Sequence, residues 1–503
     1  MGLLEQAAFP WKQILGCAVL AWCVVIRALE WAWWRPRRME RALRSQGLCG
    51  TAYRSPAGDA QLAERLDAVA RSRPLPLGCH DVLPKALPLY HQTIKEHGKT
   101  SITWFGPVPR VIITKPELVR EVLLNKFGHI GKVKLGGLER RLHSGLGNHE
   151  GEKWAKHRRI VNPAFHLEKL KPCEVDVWPE MRNLAGDVIS RAAFGSCYLE
   201  GRRVFQLQGE QAELVVHAMN RMHIPGYLLL PTRTNRRMKQ IASEIEALLK
   251  GIIAKRENTL RAGNATSDDL LGLLLESNLE QCRGDGKGND PKAGITTDDV
   301  IGECKLFYFA GMETASALLT WTMVVLSMHP EWQDRAREEV LHVFGVDGTP
   351  DYDGMSRLKI VTMVLYEVLR LYTPLTTLQR MTYKPTELGG VRYPAGVVLM
   401  LPLLCVHHDR DVWGPDASEF RPERFADGVS KASKVDAPAF FPFGWGPRIC
   451  VGQSFALLEA KMGLAMILQR FAFRLSPAYT HAPFSIGLLQ PEHGAQVLLR
   501  RLP

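Results

Sequence analysis

The sequence lacks the paired cysteines that would indicate a disulfide framework or a zinc site. Its ten cysteines lie apart along 503 residues without a CxxC spacing, and a chain of this length can bury a core without covalent cross-links. We therefore expect reduced thiols in a reducing compartment. The net charge of +12 comes without zinc-finger spacing, an RNP signature or basic heptads. We expect an acidic protein or an anionic membrane surface as partner, and no nucleic acid.

Internal repeats are also absent, which argues against a solenoid or a propeller. Helical periodicity dominates the chain, with a smaller strand content. The segments SITWF and RVIIT flank the turn GPVP and predict a hairpin, followed by a helix in KPELVREVLLNKF. Thr296 or Thr297 is the expected N-cap of a helix of about thirty residues that ends near Met328, before Pro330. The expected fold class is mainly α with a small β region.

The N-terminus carries a long apolar run. It extends from Ile14 to Ile26, continues through RALEWAWW and ends at the basic RPRR. A helical rise of about 1.5 Å per residue places Trp11 roughly 34 Å from Trp34, enough to span a hydrocarbon core with a tryptophan at each edge. Tryptophans and arginine stand where a cleaved signal peptide needs small residues. The basic run keeps the following chain in the cytosol, whereas a buried N-terminal helix is the alternative. The expected division is a single-span membrane anchor at 1–35 and a cytosolic domain at 36–503.

The long predicted helix contains the segment FAGMETAS. Gly311 weakens a helix relative to alanine and leaves space beside the backbone for a flat ligand or for oxygen. Thr314 can hydrogen-bond to a carbonyl one turn earlier, and Glu313 beside it supplies an acid. The pair has the parts of a proton relay, although a packing seam of small residues explains the segment equally well.

Charged and imidazole side chains occur in two further apolar segments. Glu367 and Arg370 lie three residues apart in VTMVLYEVLRLYTP, and this spacing favours a buried ion pair with a structural role. His407 and His408 are adjacent and resemble metal ligands. No third His or Cys stands at ligand spacing, so a surface or capping position is the better prediction.

A single cysteine lies between two glycine-bearing turns in the segment F-G-x-G-x-R-x-C-x-G, from Phe443 to Gly452. Glycines at the turns allow the backbone to approach a flat cofactor closely. A helix that starts after Gly452 directs its N-terminal amides toward the sulfur of Cys450, which favours thiolate over thiol. A nucleophilic cysteine would need a histidine base, which the sequence does not signal. The pattern predicts a thiolate ligand for the iron of a porphyrin.

These motifs, in this order, resemble those of the cytochrome P450 family. Besides AGMET, Glu367-x-x-Arg370 and the cysteine loop, the segment FRPERF and the helix containing Trp154 and Arg158 match the family. The runs NPAFHLEKLK, GDVISRAAFGS and EGRRVFQLQ resemble the plant microsomal group that contains secologanin synthase. The resemblance covers nearly the whole chain and implies the cytochrome P450 fold, preceded by one transmembrane helix.

The resemblance also implies roles for the matching residues. Cys450 would be the axial ligand of haem b, and Glu313 and Thr314 would pass protons during catalysis. The residues expected to bind the cofactor are Cys450, Arg448, Trp154, Arg158, Arg380, Phe443, Gly444 and Gly452. Glu367, Arg370 and Arg424 would form a structural charge triad.

The implied reaction inserts one oxygen atom of O₂ into a C–H bond of a hydrophobic small molecule, such as a terpenoid or a related plant metabolite. The chain has no G-x-G-x-x-G opening a βαβ unit and no flavin domain, so electrons from NADPH would arrive through a separate cytochrome P450 reductase. The implied location is the endoplasmic reticulum membrane, with the catalytic domain on the cytosolic side.

The chain departs from the family at two places. A helix that the family has between FHLEKLK and DVWP is absent, because Lys171 runs through PCEV directly to Asp176. A proline-rich hinge is also absent after the anchor, and RPRRMERALRSQG takes its place. Besides a monooxygenase, two alternatives remain from the sequence: a non-oxidative haem-thiolate isomerase or dehydratase, and a poorly folding inactive relic.

Overall fold

The long apolar and amphipathic segments of the sequence form the helices of the protein. The computed structural model describes residues 11–124, 129–133, 175–194, 198–219, 227–261, 269–283, 295–485 and 487–502. The helices are α1 Trp11–Leu29, α2 Arg35–Arg44, α3 Ala60–Arg71, α4 Leu83–Ala86, α5 Pro88–His97, α6 Pro116–Leu124, α7 Val177–Phe194, α8 Tyr198–Met219, α9 Arg233–Arg261, α10 Leu270–Arg283, α11 Thr297–Met328, α12 Pro330–Phe344, α13 Tyr352–Arg357, α14 Lys359–Leu371, α15 Leu403–His407, α16 Arg410–Trp413 and α17 Gln453–Arg470.

The strands are short and form one larger sheet and three small ones. They are β1 Cys49–Gly50, β2 Thr100–Phe105, β3 Val108–Ile113, β4 Ile130–Gly131, β5 Val175–Asp176, β6 Leu378–Thr382, β7 Thr386–Leu388, β8 Val391–Tyr393, β9 Val398–Leu401, β10 Phe471–Leu475, β11 Pro483–Ser485, β12 Leu489–Pro491 and β13 Gln496–Arg501. The six-stranded sheet has the order β1-β2-β3-β9-β6-β4. The predicted hairpin is confirmed as β2 and β3, which pair antiparallel from Thr100 opposite Ile113 to Phe105 opposite Val108.

The central element is α11, whose predicted start and length are confirmed. The Thr296 hydroxyl accepts a hydrogen bond from the Asp299 amide at 3.2 Å, and the Asp299 carboxylate accepts one from the Thr296 amide at 3.2 Å. This reciprocal capping box satisfies amides that a helix start otherwise leaves without partners. The helix runs 32 residues to Met328, which makes it about 48 Å long, enough to cross the whole domain.

Two apolar clusters meet along α11. One joins it to α14 and α17, and the other joins it to α7, α9 and α10. The contact with α7 is the closest: the rings of Phe194 and Tyr308 stack with centroids 4.1 Å apart, and a Cβ on Gly311 would lie 2.7 Å from the Ile189 side chain. Ile189 therefore fills the side of Gly311 toward which a Cβ would point, and space for a ligand beside this partly buried glycine stays a prediction for its other side.

The first helix continues into the body of the protein without a break. A π-helical turn at Glu30–Trp34 joins α1 to α2. The Ala32 carbonyl in this turn accepts hydrogen bonds from the Tyr53 hydroxyl at 2.6 Å and the Ser55 hydroxyl at 2.8 Å. Met39 and Leu43 of α2 are buried in the cluster beneath the six-stranded sheet. The segment expected to replace a hinge is thus a docked helix, because its apolar side packs into the core.

Two of the described helices are long and apolar enough to cross a membrane. The stretch Leu15–Arg44 has none of its most apolar window buried in the protein, whereas 78% of the corresponding window in α11 is buried. Burial on this scale identifies α11 as a core helix. The exposed N-terminal stretch is compatible with the predicted single-pass anchor.

A chain of hydrogen-bonded imidazoles and hydroxyls joins the end of α11 to three other segments, and its imidazoles and hydroxyls are buried except for His329. The Glu331 carboxylate can only accept, so His329 donates through Nδ1 (3.3 Å) and accepts through Nε2 from His80 (2.9 Å). His80 Nδ1 then accepts from the Tyr372 hydroxyl at 2.7 Å. His481 Nε2 donates to that hydroxyl oxygen at 3.3 Å, and its Nδ1 accepts from the Tyr479 hydroxyl at 2.8 Å. When the three imidazoles are neutral, every hydrogen bond of this chain is donated in one direction, from Tyr479 at one end toward Glu331 at the other.

The buried imidazoles make stability depend on pH. Burial lowers the pKa of His80 to about 3 and that of His481 to about 4. Both stay neutral in the folded protein, whereas in the unfolded chain they bind protons below about pH 6.5. The contribution of each histidine to the free energy of unfolding is therefore fully present above about pH 6.5. As the pH falls from there toward the folded-state pKa, each group lowers the free energy of unfolding by up to about 1.4 kcal/mol per pH unit.

We expect the urea midpoint to fall between pH 7.5 and 5.5 in the wild type, and to fall less in His481→Asn. The exposed His342 supplies the control, since His342→Asn should keep the wild-type pH dependence. An equal fall in all three proteins would contradict this origin of acid sensitivity.

Candidate functional site

The cysteine loop lies between the sheet and the start of α17. The Cys450 amide donates to the Phe443 carbonyl at 2.9 Å, which closes the loop, and the thiol is exposed. A Cβ placed on Gly452 would lie 4.0 Å from the sulfur. Cys450 thus lies against the residue at which α17 begins, where helix amides favour a thiolate.

Two glycines give the loop its shape. Gly444 has φ +76° and Gly446 has φ +72°, in the left-handed region that glycine adopts without strain. A Cβ on Gly446 would lie 3.0 Å from the Leu123 carbonyl oxygen of α6, so this glycine also permits close packing. At Gly444 the nearest atom to such a Cβ is in the Leu378 side chain, 3.8 Å away. The loop therefore rests on α6 and β6 at its two glycines.

The contact with Leu378 brings a cation to the loop. Arg380 is two residues further along β6, on the same face of the strand as Leu378. Its side chain is buried, and Nη1 donates to the Gln379 carbonyl at 2.9 Å. Arg448 belongs to the 3₁₀ turn Gly446–Arg448 of the loop itself. The structure thus places both expected propionate-binding arginines near the cysteine loop.

The segment of α11 that contains Glu313 and Thr314 lies beside the same loop. Val451, next to Cys450, packs against the apolar cluster that contains Met312 and Ala315. Leu306, Ala310 and Thr314 are only partly buried in a helix that is otherwise mostly buried. Their spacing of four residues places them along one side of the helix. The Thr314 hydroxyl donates to the Ala310 carbonyl at 2.7 Å.

Glu313 forms an ion pair with Arg182 of α7, a contact that the sequence did not predict. Its carboxylate accepts a hydrogen bond from Arg182 Nη2 of α7 at 2.5 Å, and the acid is buried. The Arg182 side chain is one-third exposed, so this ion pair links the buried acid to the protein surface. A Cβ on Gly209 of α8 would lie 3.3 Å from the same guanidinium. The ion pair therefore lies between α7, α8 and α11, with the Arg182 side chain open to solvent on one side.

These residues fit the haem group that the sequence predicts. The cysteine thiol is accessible, the glycine turns leave the backbone bare, and Arg380 and Arg448 supply cations for carboxylates. Thr314 supplies a hydroxyl on the partly buried side of α11. Trp154 and Arg158, the other two residues expected to bind the propionates, lie outside the described residues.

The predicted charge triad is brought together in the core. Arg370 donates to the Glu367 carboxylate from Nε at 2.8 Å and from Nη2 at 2.7 Å, and both side chains are fully buried. Arg424 approaches the same carboxylate at 3.3 Å. Arg370 Nη1 also donates to the carbonyls of His407 and Ala417, which ties α14 to the segment before the cysteine loop. A buried charge pair needs such extra hydrogen bonds to offset its desolvation.

Removing one partner of this pair should be costly. Arg370→Met leaves the Glu367 carboxylate buried without its bidentate partner, and we expect a loss of about 3–5 kcal/mol in the free energy of unfolding. The double variant Glu367→Leu, Arg370→Met should lose less, because no unpaired charge remains. Urea unfolding measures both. A double variant less stable than the single one would contradict this explanation.

The two adjacent histidines are not surface residues, which corrects the prediction. Both are buried, since α15 packs into the core. His407 Nε2 accepts from the Phe441 amide at 3.0 Å, and His408 Nε2 donates to the Leu371 carbonyl at 3.0 Å. Burial lowers the pKa of His408 to about 3. No group of three or more metal-ligating side chains occurs within the described part of the chain. The histidines hold the backbone around the charge triad.

Comparison with known proteins shows which family the chain resembles. A family model described as cytochrome P450 matches residues 84–175 and 168–499. A protein named "Cytochrome P450 CYP72A616" from Paris polyphylla is 58% identical over 510 residues, which cover 96% of this chain and 97% of that protein. An "11-oxo-beta-amyrin 30-oxidase" from Glycyrrhiza uralensis is 48% identical over 517 residues, with 97% of each chain covered.

The same comparisons locate the departure from the family. The family match consists of two pieces that meet at residues 168–175. An alignment with "Cytochrome P450 CYP72A219" from Panax ginseng spans 528 residues and the whole of both chains, at 48% identity, although this chain has only 503 residues. The break in the family match fits a missing segment beside Lys171, directly before β5 and α7, and the alignment shows that this chain lacks residues that its relative has.

Proposed function

The chain belongs to the cytochrome P450 family, and we propose that it oxidises a hydrophobic terpenoid with electrons that a separate reductase delivers from NADPH. Membership of the family makes the chain a monooxygenase. The substrate class is supported by the relative from Glycyrrhiza uralensis, whose name describes the oxidation of a β-amyrin derivative and whose likeness covers 97% of both chains. This similarity is the observation that carries the proposal.

The described residues divide the work of the site among three elements. Cys450 of the loop would hold haem b through its thiolate, and Arg380 and Arg448 would hold its propionates. When bound, the haem supplies the activation of O₂ that C–H oxidation requires. Thr314 would donate a proton from its hydroxyl, which now donates to the Ala310 carbonyl. Glu313, held by Arg182, would replace that proton from the solvent side of α7.

The proposed location of the protein follows from its N-terminal apolar helix. An exposed apolar helix before a basic segment favours a single pass through the endoplasmic reticulum membrane, with the catalytic domain in the cytosol. The net charge of +12 favours an acidic reductase as the electron donor.

The test is oxidation of 11-oxo-β-amyrin and related triterpenes by the full chain with a plant cytochrome P450 reductase and NADPH. We expect one atom from ¹⁸O₂ in the product and no product without NADPH. Conversion without oxygen uptake would favour the isomerase or dehydratase alternative. Absence of any haem spectrum would favour the inactive relic. Cys450→Ala is the negative control for all measurements.

Thr314→Ala should uncouple electron use from oxidation. The variant keeps the cysteine loop and the arginines, so haem and substrate binding should remain, while the loss of an assisting hydroxyl typically costs about 10²–10⁴ in the assisted step. We expect NADPH consumption to continue with hydrogen peroxide released in place of product. Thr320→Ala, a buried threonine 6 residues further along α11, is the matched control. An unchanged ratio of product to NADPH would contradict the relay.

A further inference from the structure

The helix that comes after the membrane anchor presents arginines on one side. Arg37, Arg38 and Arg41 of α2 are exposed, and we call these three residues the arginine face. The opposite side of α2 is buried through Pro36, Met39 and Leu43. The helix is therefore amphipathic, but its apolar side is already used by the protein core and is not available to a membrane.

The carboxylates close to the arginine face are already paired. Glu30 forms an ion pair with Arg38, and Glu40 forms one with Arg44 at 3.0 Å. Among the residues that the structure describes, Arg37 and Arg41 have no carboxylate within ion-pair distance. The Arg37 guanidinium lies 4.0 Å over the Trp33 ring, which orients it without neutralising it. Within the described part of the chain, two positive charges on this face thus lack a carboxylate partner.

The face has a fixed position relative to the apolar span. The π-helical turn at Glu30–Trp34 joins the two helices, and the bonds from Tyr53 and Ser55 to the Ala32 carbonyl hold this turn to the core. At the far end of α2, the Gln46 amide donates to the Arg392 carbonyl at 2.7 Å and accepts from the Arg392 amide at 2.6 Å. These hydrogen bonds hold both ends of α2, so the arginine face keeps its position next to the C-terminal end of α1.

We propose that the arginine face binds the anionic headgroups of phospholipids in the cytosolic leaflet. From Arg37 to Arg41 the helix rises only about 6 Å, less than one Debye length at physiological salt. Trp33 and Trp34, both exposed, mark the headgroup level directly before it. Each arginine near an anionic surface raises affinity about fivefold. The inference rests on the proposed membrane anchor and is independent of the substrate.

The arginines would also orient the chain during insertion, and that role alone needs no lipid preference afterwards. The two roles differ in the finished protein. A purely topogenic segment should accept zwitterionic and anionic lipids equally, whereas a binding face should select the anionic ones and lose that selection at high salt.

The full chain, reconstituted in phosphatidylcholine bilayers, can be probed with nitroxide-labelled phosphatidylserine and phosphatidylcholine by electron paramagnetic resonance. We expect phosphatidylserine to associate at least about fivefold more strongly than phosphatidylcholine at low salt, the increment of one arginine, and the preference to disappear at about 0.5 M salt. The triple variant Arg37→Gln, Arg38→Gln, Arg41→Gln should lose the preference while keeping the wild-type haem spectrum. The matched control changes three exposed arginines far along the chain, Arg357→Gln, Arg474→Gln and Arg500→Gln, and should keep it.

Three results would overturn the inference. Equal association of both lipids with the wild type would leave only the topogenic role. A preference for phosphatidylserine that survives in the triple variant would show that other residues cause it. An equal loss in the control variant would show that the preference depends on the net charge of the protein and not on the arginine face. A chain that does not enter the bilayer would overturn the anchor, and the arginine face with it.

Discussion

We expect replacement of Cys450 with alanine to abolish thiolate ligation of haem and, with it, all substrate oxidation. The reason is that no other described cysteine offers an accessible thiol in a glycine-flanked loop at a helix start. Cys304 and Cys405 are buried, and burial raises the pKa of both thiols, so neither can take over as a thiolate. The spectrum of the reduced, carbon-monoxide-treated protein measures the ligation directly.

Controls separate ligation from folding. Cys49→Ala changes an exposed thiol and Cys405→Ala a buried one, and each should leave the spectrum unchanged. A variant at Cys450 that retains the wild-type spectrum would show that the ligand has been assigned to the wrong residue. Circular dichroism of the Cys450 variant checks that its helices remain.

Restoring the missing segment should raise the yield of haem-containing protein by a large factor. The insertion point lies between Lys171 and Pro172, and the donor is the corresponding segment of the Paris polyphylla relative. Side chains on α7 and α17 are only half-buried beside the long core helix, namely Trp178, Leu184, Leu457, Leu458, Met462 and Ile467. Full burial of such a side chain is worth about 1.5–3 kcal/mol, so completing several of them amounts to several kcal/mol. That gain is comparable to the whole stability of an ordinary domain.

The insertion should leave β5 and the start of α7 undisturbed. Val175 and Asp176 pair with β13, and the Asp176 carboxylate accepts from the amides of Ala495 at 2.8 Å and Trp178 at 3.1 Å. A glycine and serine insertion of equal length is the control and should give no gain. If the 503-residue chain already binds haem fully and unfolds in one sharp thermal transition, the missing segment is tolerated and the inactive relic is excluded.

The sequence predicted those features that depend on neighbouring residues. The Thr296 cap and the β2–β3 hairpin follow from local hydrogen bonding and turn geometry, and the structure has both. The pairing of Glu367 with Arg370 follows from helical spacing in an apolar run. The order of the motifs was enough to identify the family, because each motif is short and has a fixed spacing.

Features that depend on distant partners could not be predicted from the residues alone. Arg182 is 131 residues from Glu313 and lies in a helix whose pattern contains no sign of that contact. The small size of Gly311 also serves the packing of Ile189 of α7, a contact that the sequence does not indicate. An exposed position is the general expectation for His407 and His408 because imidazoles are seldom fully buried, whereas backbone groups across the core satisfy both.

With α1 as the proposed membrane span, its unbroken passage through the π-helical turn into α2 would restrict how the enzyme meets a reductase in the same membrane. A domain on a flexible tether can tumble in every direction, whereas a domain that continues the helix of its span would keep one tilt. Rotation about the membrane normal and diffusion in the plane of the membrane are the motions that would remain. The reductase would then search in two dimensions with one angle left to match, which would shorten the search for each electron delivered.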